Sequence, residues 1–257
     1  MLNQDIDSQT GKDMRPLDGP FKFACNPGVD CFTECCRDLD LTLTPYDLLR
    51  LKKNLQVTTE DFIEKYASYD FSHKMGFPTI KLKMEENERK TCPFVGPQGC
   101  EVYEDRPSAC RTYPLARATQ KYTRYGKIRE AYFVLRESHC LGFDAGKVWT
   151  LDQWKKDQGL EEYNRMNDGW AAVVCSPFAE KRGGLSEKEI QLVYMSAYNI
   201  ELFRRFVFGS SLLNKFEIDR ERIRKIEAED EELLLFAFDW LRFALFGEST
   251  LRLNQHG

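Results

Sequence analysis

Four of the nine cysteines of this chain lie in one short stretch that ends at Cys36. They are Cys25, Cys31, Cys35 and Cys36. No secondary-structure preference explains this density, because cysteine is neither a strong helix former nor a turn residue. Thiols gathered this closely usually bind a metal ion or form disulfides, so the function depends on which of the two applies.

Local spacing predicts how these four thiols are arranged. Asn26-Pro27-Gly28 is a turn sequence that brings Cys25 back towards Cys31. Cys31 and Cys35 are four residues apart, so a helical turn would place both sulfur atoms on one face. Because neighbouring side chains diverge, we expect one of Cys35 and Cys36 to bind with Cys25 and Cys31. The other would face a second site, a cluster or the core.

Composition and the expected compartment indicate whether the cysteines bind a metal or form disulfides. The chain has 257 residues, 42% of them hydrophobic and 30% charged, and a net charge of −4. These values are typical of a soluble globular protein and give no electrostatic footprint for nucleic acid. The polar N-terminus has no signal-peptide core, and no apolar run reaches the roughly 18 residues of a membrane span. We therefore expect a cytoplasmic protein, without nucleic-acid or membrane partners, in which metal binding is favoured over disulfides or unligated thiols.

A second group of cysteines lies further along the chain, in Gly- and Pro-rich loops and after a strand-like stretch at 131–135. They are Cys92, Cys100, Cys110 and Cys140. With the first four they make eight thiols, which suits two four-ligand sites or one cluster with spare structural thiols. Cys175 is left over, and its Val and Ala neighbours predict a buried small hydrophobic residue.

The identity of the metal is less sharply specified, because four thiolates suit zinc and iron–sulfur clusters alike. Structural zinc sites usually pair cysteines across about two to four residues, and here only Cys31 and Cys35 are spaced so. Of the histidines only His139, next to Cys140, could complete a mixed zinc site, and we expect it to be an ordinary polar neighbour. The spacing slightly favours an iron–sulfur cluster, with zinc as the alternative.

These cysteines and their neighbours resemble a known family. Cys31, Cys35 and Cys36 are followed by Cys92-Pro93-Phe94, Gly99-Cys100, Tyr103-Glu104, Arg106-Pro107, Cys110-Arg111 and Tyr113-Pro114. This combination is similar to the YkgJ-type cysteine-cluster family, also called the CxxCxxCC or zinc- or iron-chelating domain, over residues 20–145. The first run, Cys-x5-Cys-x3-Cys-Cys, is wider than the pattern in the family's name. The resemblance implies metal or iron–sulfur binding, and some relatives resemble flagellin lysine N-methylases.

Two arginines stand among the cysteines. Four thiolates carry net negative charge with either Zn²⁺ or an oxidised four-iron cluster, and the guanidinium groups of Arg106 and Arg111 would offset it and donate to sulfur. Alternatively, Arg106 caps a loop and Arg111 pairs with Glu101 or Glu104 at the surface. A nucleophilic thiolate beside arginine is a further option, but the sequence shows no paired base.

Helix and strand signals surround the cysteines. The segment 44–47 combines a Thr cap, a first-turn proline and an acid, and predicts a helix to about Asn54. A short helix follows at Thr58 or Thr59, and alternation over 79–84 predicts a half-buried strand.

The sequence predicts that the C-terminal part is helical. Capping boxes at 150–153 and 186–189 start two helices, and Asp219 starts another. Residues 231–246 predict a last helix, ended by Gly247, that is apolar over much of its circumference. We expect this helix to be buried, with a partner-binding surface as the alternative.

These elements predict an α+β fold that is mainly helical, with a few short strands in a cysteine-rich metal-binding half. The predicted division is a flexible arm at 1–20, a cysteine-cluster domain at 21–147 and an α-helical region at 148–257 packed on it. The candidate ligands of an iron–sulfur cluster or zinc are Cys25, Cys31, Cys35, Cys36, Cys92, Cys100, Cys110 and Cys140.

Two alternative functions stay open. One is a cluster-dependent protein lysine N-methyltransferase-like enzyme, although no glycine-rich loop follows a strand as a nucleotide-type cofactor would need. The other is an interaction module in which zinc only holds loops together while the C-terminal helices bind a protein partner.

Overall fold

The computed structural model describes residues 13–70, 76–121 and 128–254. Helices predominate and the strands are short and antiparallel, so the predicted α+β, mainly helical class is confirmed. The strands are β1 (Asp13–Pro16), β2 (Phe21–Phe23), β3 (Thr42–Leu43), β4 (Ala67–Asp70), β5 (Thr79–Leu82), β6 (Val95–Gly96), β7 (Gly99–Cys100), β8 (Leu115–Lys121), β9 (Ile128–Arg136) and β10 (Lys147–Trp149). The helices are α1 (Pro45–Leu55), α2 (Thr59–Tyr66), α3 (Ser108–Thr112), α4 (Leu151–Asp157), α5 (Leu160–Val174), α6 (Pro177–Arg182), α7 (Glu187–Val193), α8 (Ile200–Phe208), α9 (Arg220–Ala228) and α10 (Asp230–Phe246).

The chain divides into two compact units. Unit 1 combines Met1–Leu41 with Lys83–Asn164, and unit 2 combines Thr42–Leu82 with Arg165–Gly257. The stretch between the two cysteine groups of the sequence therefore belongs with the C-terminal helices. The predicted boundaries at residues 20 and 147 stay predictions, and residues 1–12 of the predicted arm lie outside the described residues.

Unit 1 is built from short strands around an aromatic cluster. Strands β1, β9 and β8 form one antiparallel sheet, and β2 pairs with β10. The Trp154 ring meets Phe21 and Phe23 edge-on, with centroids 5.7 Å away in each case. Its indole nitrogen donates to the Thr112 carbonyl at 3.1 Å, which satisfies the buried donor. The buried members of this cluster are Phe21, Phe23, Leu115, Tyr132, Trp154 and Leu160.

The first cysteine run of unit 1 is a series of turns and not the helical turn that its spacing favours. The backbone nitrogen of Glu34 donates to the Cys31 carbonyl at 3.0 Å, and that of Cys36 donates to Thr33 at 2.9 Å. Thr33 has a φ of +69°, a left-handed conformation that interrupts helical continuation. The chain therefore changes direction repeatedly between the first and last of these cysteines.

Unit 2 begins with the predicted capped helix. The Thr44 hydroxyl accepts from the Asp47 nitrogen at 3.2 Å, and the Asp47 carboxylate accepts from the Thr44 nitrogen at 3.0 Å. This reciprocal box starts α1, and Gln56 in the left-handed conformation ends it. The strand expected over 79–84 is present as β5, between β3 and β4.

Helix α10 is buried within unit 2, as the apolar pattern predicts, and Gly247 ends it with a φ of +65°. The ring of Phe203 on α8 lies 5.5 Å from Trp240 and 6.2 Å from Phe236, centroid to centroid. The buried side chains of α10 are Leu233, Leu234, Phe236, Ala237, Phe238, Trp240, Leu241 and Leu245. Among the residues described, no helix is long and apolar enough to span a membrane.

Cys175 is exposed, so its predicted burial is wrong. Helix α5 ends just before it, and the apolar run that precedes it follows the helical period. Val173 and Ser176 occupy the buried positions of this segment. The Ser176 hydroxyl donates to the Glu248 carboxylate at 2.7 Å, so this buried donor has a hydrogen-bond partner.

Candidate metal centre

All eight candidate cysteines lie in unit 1, on turns and at the ends of short elements. Cys25 and Cys110 are exposed, and the other six are partly buried. Their positions result from strand pairing and turn geometry between segments that are distant in sequence.

Cys25, Cys31 and Cys140 are held near one another by backbone contacts. Just after β2, the Ala24 nitrogen donates to the Gly142 carbonyl at 2.9 Å. The Leu141 nitrogen donates to the Cys31 sulfur at 3.1 Å. The loop that begins at Cys140 therefore touches both the residue before Cys25 and the sulfur of Cys31.

Two glycines permit this close approach. A Cβ atom at Gly142 would lie 2.5 Å from the Ala24 carbonyl oxygen. One at Gly146, where φ is +83°, would lie 2.4 Å from the Ala24 Cβ. Both distances are below van der Waals contact, so only glycine lets this loop lie against the backbone that leads into Cys25.

The electrostatic neighbours of Cys25 agree with this placement. Partial burial, followed by charge repulsion from the neighbouring Cys35, Cys31 and Cys140, raises the pKa of its thiol to about 11. Burial likewise raises the pKa of Cys140, which has Cys31 and Cys35 as charged neighbours. Cys35 is therefore an electrostatic neighbour of both Cys25 and Cys140.

Tyr113 and His139 flank Cys140. Burial, followed by the adjacent Cys140 thiol, raises the pKa of the Tyr113 hydroxyl. The Cys140 nitrogen donates to the Glu137 carbonyl at 2.9 Å. His139 Nε2 lies 3.7 Å from the Glu137 carboxylate, which is the contact of an ordinary polar neighbour.

Backbone contacts also connect the segments that carry Cys36, Cys92 and Cys100. The Cys92 nitrogen donates to the Cys36 carbonyl at 2.8 Å. Val95, whose nitrogen donates to the Cys92 carbonyl at 3.1 Å, pairs with Cys100 across the β6–β7 hairpin. Burial, with charge repulsion from neighbours that include Cys100, raises the pKa of Cys92 to about 11.

Cys110 lies on the short helix α3 and is an electrostatic neighbour of Cys36. A hydrogen bond with Cys35 raises the pKa of Cys36, as does burial, and Cys110 and Cys92 add to the effect by charge repulsion. The same hydrogen bond from Cys36 lowers the pKa of Cys35. The side chains of this adjacent pair therefore contact each other.

Arg106 and Arg111 are both buried, each only 7% exposed, and the thiols of Cys100 and Cys110 are among the electrostatic neighbours of Arg106. Arg111 donates to the backbone carbonyls of Gln158, at 2.5 Å, and Glu104. Arg106 donates to the Tyr103 carbonyl and the Gln158 side chain. Within the part of the chain that the structure describes, neither guanidinium forms an ion pair with a carboxylate. The surface pairing of Arg111 with Glu101 or Glu104 carboxylates is therefore absent.

The charge of Arg106 acts on the thiols directly. Burial lowers the pKa of Arg106, and Cys100 and Cys110 are among the groups that oppose this shift. Its guanidinium stacks 3.7 Å from the centre of the Tyr103 ring. Gln158, the residue that contacts both arginines, was not predicted from the sequence, since its position after α4 carries no local signal of the role.

The donor set fits zinc or an iron–sulfur cluster in its chemistry, because thiolates are ligands for both and the buried cations suit an anionic site. As the side chains stand, no group of three or more Cys, His, Asp or Glu among the described residues could hold a metal ion. Zinc–sulfur bonds are about 2.3 Å long. Metal binding would therefore have to draw the sulfur atoms of these turns inward.

Comparison with known proteins gives one match. Residues 24–141 match the model of the CxxCxxCC family, described as "Putative zinc- or iron-chelating domain". The matched segment contains all eight candidate cysteines and ends before Cys175. No curated protein and no solved structure matches the chain. This match makes residues 24–141 similar to that family, and the family's description supports metal binding in general.

Proposed function

We propose that this protein binds iron or zinc through the eight cysteine thiolates of unit 1. The observation that carries the proposal is the burial of Arg106 near the thiols of Cys25, Cys100 and Cys110, with no carboxylate ion pair in the described residues. A buried cation is costly unless negative charge lies near it. Metal-bound thiolates supply such charge, because a metal ion displaces the thiol proton.

The buried guanidinium charge partly offsets the negative charge of such a site. A zinc ion with four thiolates carries about two net negative charges, and four thiolates with an oxidised four-iron cluster are likewise anionic. The guanidinium of Arg106 has Cys25, Cys100 and Cys110 as charged neighbours. Arginine remains protonated at any pH the protein meets, so its charge offsets that of the site permanently.

Of the two metals we place iron, as an iron–sulfur cluster, first. The supporting features are the irregular spacings and the adjacent Cys35–Cys36 pair, which differ from paired zinc knuckles. A bound cluster would supply one-electron chemistry, whereas zinc would cross-link the turns. The chain's own residues hold the ligands in place and offset their charge.

The other functions gain no specific support. The apolar side of α10 is covered within unit 2, so that surface is not available for the expected protein partner. A partner bound by other helical surfaces, a methyltransferase-like activity and a cytoplasmic location remain predictions.

The test is anaerobic purification of the full chain, with metal and sulfide analysis and a visible spectrum. We expect brown protein with iron and acid-labile sulfide. Stoichiometric zinc in colourless protein would keep metal binding and overturn the choice of iron. Neither metal in the purified protein would overturn the proposal.

The role of the buried charge is tested by Arg106→Met. We expect metal affinity to fall about 10–100-fold, the range for lost partners around a site. Arg89→Met is the matched control, because Arg89 is exposed and pairs with the Glu34 carboxylate. Equal affinity in the two variants would contradict the charge argument, provided both retain the far-ultraviolet circular dichroism of the unmodified chain.

A further inference from the structure

The helical stretch 187–208 of unit 2 is interrupted near its middle. Helix α7 ends at Val193, a π-helical turn follows over Tyr194–Tyr198, and α8 starts after Asn199. The Asn199 nitrogen donates to the Tyr194 carbonyl, five residues earlier, at 3.0 Å. Single π-helical turns are rare and occur frequently at functional sites. The side chains that this interruption positions are therefore candidates for a binding site.

The interruption places a buried amide against an exposed carboxylate. Asn199 is fully buried, and its side-chain oxygen accepts from the Leu202 nitrogen at 3.0 Å, which caps α8. Its side-chain nitrogen donates to Glu60 Oε1 at 2.7 Å. Glu60 is exposed in the first turn of α2, and its carboxylate forms no ion pair with a Lys or Arg of the described residues. The core therefore orients this carboxylate and leaves its charge available to a ligand.

Two tyrosines meet at the first residue of the π-helical turn. The rings of Tyr194 and of Tyr69, on β4, lie with their centres 5.5 Å apart and their planes at 69°. Tyr69 is 42% exposed. Burial, a hydrogen bond with Tyr194 and the charge of Glu60 raise the pKa of the Tyr69 hydroxyl, which stays protonated at neutral pH. An exposed aromatic pair thus lies near an oriented negative charge.

We propose that Tyr69, Tyr194 and Glu60 form a binding site for the quaternary ammonium group of a small organic cation. The face of an aromatic ring attracts a cation, and recognition of quaternary ammonium ligands is the usual functional role of this attraction. A quaternary ammonium has no N–H group, so two rings and one carboxylate are a sufficient set of contacts. A lysine-type ammonium is strongly hydrated and needs further acceptors for its three donors. This site lies in unit 2 and does not depend on the metal binding proposed for unit 1.

Helix stability alone explains only part of this arrangement. An acidic residue in the first turn of α2 interacts favourably with the helix dipole, and Asn199 is a normal N-cap residue. Neither effect requires the π-helical turn, and neither places exposed aromatic rings near the carboxylate. A cation site accounts for these three features together.

The proposal is tested by calorimetric titration of the full chain with choline and with the neutral analogue in which carbon replaces the nitrogen. We expect saturable binding of choline and no binding of the neutral analogue. Tyr69→Leu should weaken choline binding about tenfold, because one ring is lost. Tyr69→Phe keeps the ring and should bind choline within about twofold of the unmodified chain.

The contribution of the charge is tested by two variants on the same helix. Glu60→Gln removes the charge and keeps an oxygen that can accept from Asn199, so choline affinity should fall about two- to fivefold. Glu64→Gln removes the same charge at another exposed position of α2 and should leave the affinity unchanged.

Four results would overturn the proposal. These are no saturable choline binding by the unmodified chain, equal binding of the neutral analogue, unchanged affinity in Tyr69→Leu, or an equal loss in Glu60→Gln and Glu64→Gln. Each variant is compared only if it retains the far-ultraviolet circular dichroism of the unmodified chain. Should Tyr69→Leu lose it, Tyr69→Gln, with a polar side chain at this exposed position, replaces it.

Discussion

The cysteine turns of unit 1 and the helices of unit 2 are stabilised in different ways. Unit 2 buries large aromatic side chains such as Phe62, Phe203 and Phe236 almost completely. The cysteine turns, residues 24–41 and 83–112, bury few apolar side chains, among them Phe94 and Val102. Apolar burial contributes about 25 cal/mol per Å², so the turns gain far less from it. The difference indicates that bound metal would have to supply the cross-links that the turns lack.

Metal removal should have the largest effect, and this effect should differ between the two units. We expect chelation to abolish protection of backbone amides in residues 24–41 and 83–112, because structural zinc contributes roughly 10 kcal/mol or more to folding in small domains. Helices α8 and α10 should keep their protection. Hydrogen exchange of the full chain with and without chelator measures both. Equal loss of protection in both units would contradict the comparison.

Phe203→Ala should destabilise unit 2 and leave metal binding in unit 1 unchanged. Phe203 is fully buried against Phe236 and Trp240. We expect a loss of about 3–5 kcal/mol in the free energy of unfolding, from lost burial and the cavity left behind. Chemical denaturation followed by tryptophan fluorescence measures it. Metal content should not change, and Phe178→Ala, at an exposed position, should cost little.

Lys52→Met should have the smallest effect and act through a polar contact of unit 2. Lys52 Nζ lies 2.7 Å from Glu201 Oε1, and the Thr59 hydroxyl donates to the other carboxylate oxygen at 2.7 Å. We expect a loss of about 1–3 kcal/mol from the unpaired carboxylate. Lys53→Met, which removes a more exposed ammonium, is the control and should cost less than about 1 kcal/mol.

The same contact predicts a pH dependence. Burial alone would raise the pKa of Glu201, but the hydrogen bonds from Lys52 and Thr59 outweigh it and lower the pKa below 4.5. The unfolded chain therefore takes up the proton first as pH falls. This contribution to stability is complete above about pH 4.5 and is lost below it. Unfolding midpoints of the unmodified chain and Lys52→Met should converge in acid, and parallel curves would contradict the assignment.

Local features were predictable from the sequence. The Thr44 cap of α1, the capping box that starts α4 and the glycine that ends α10 are present where the pattern places them. Each is a hydrogen bond or backbone preference within a few residues, so the neighbouring residue types determine it.

The arrangement of the candidate site was not predictable in the same way. The Leu141 hydrogen bond to the Cys31 sulfur joins residues that are 110 positions apart, and the Gln158 contact with Arg111 joins residues 47 apart. Such contacts depend on strand pairing and turn directions, including the left-handed Thr33, that residue spacing does not encode. The ligand types were therefore evident from the sequence, and their grouping was not.

The two glycines after Cys140 restrict how this sequence can change over time. Any side chain at Gly142 or Gly146 would meet Ala24 at 2.5 Å or less. A substitution at either position would push the loop away from the segment that carries Cys25. A second substitution elsewhere in the loop would leave the clashing Cβ atom in place. Selection that preserves the thiols must therefore also act on these glycines, which bind nothing themselves.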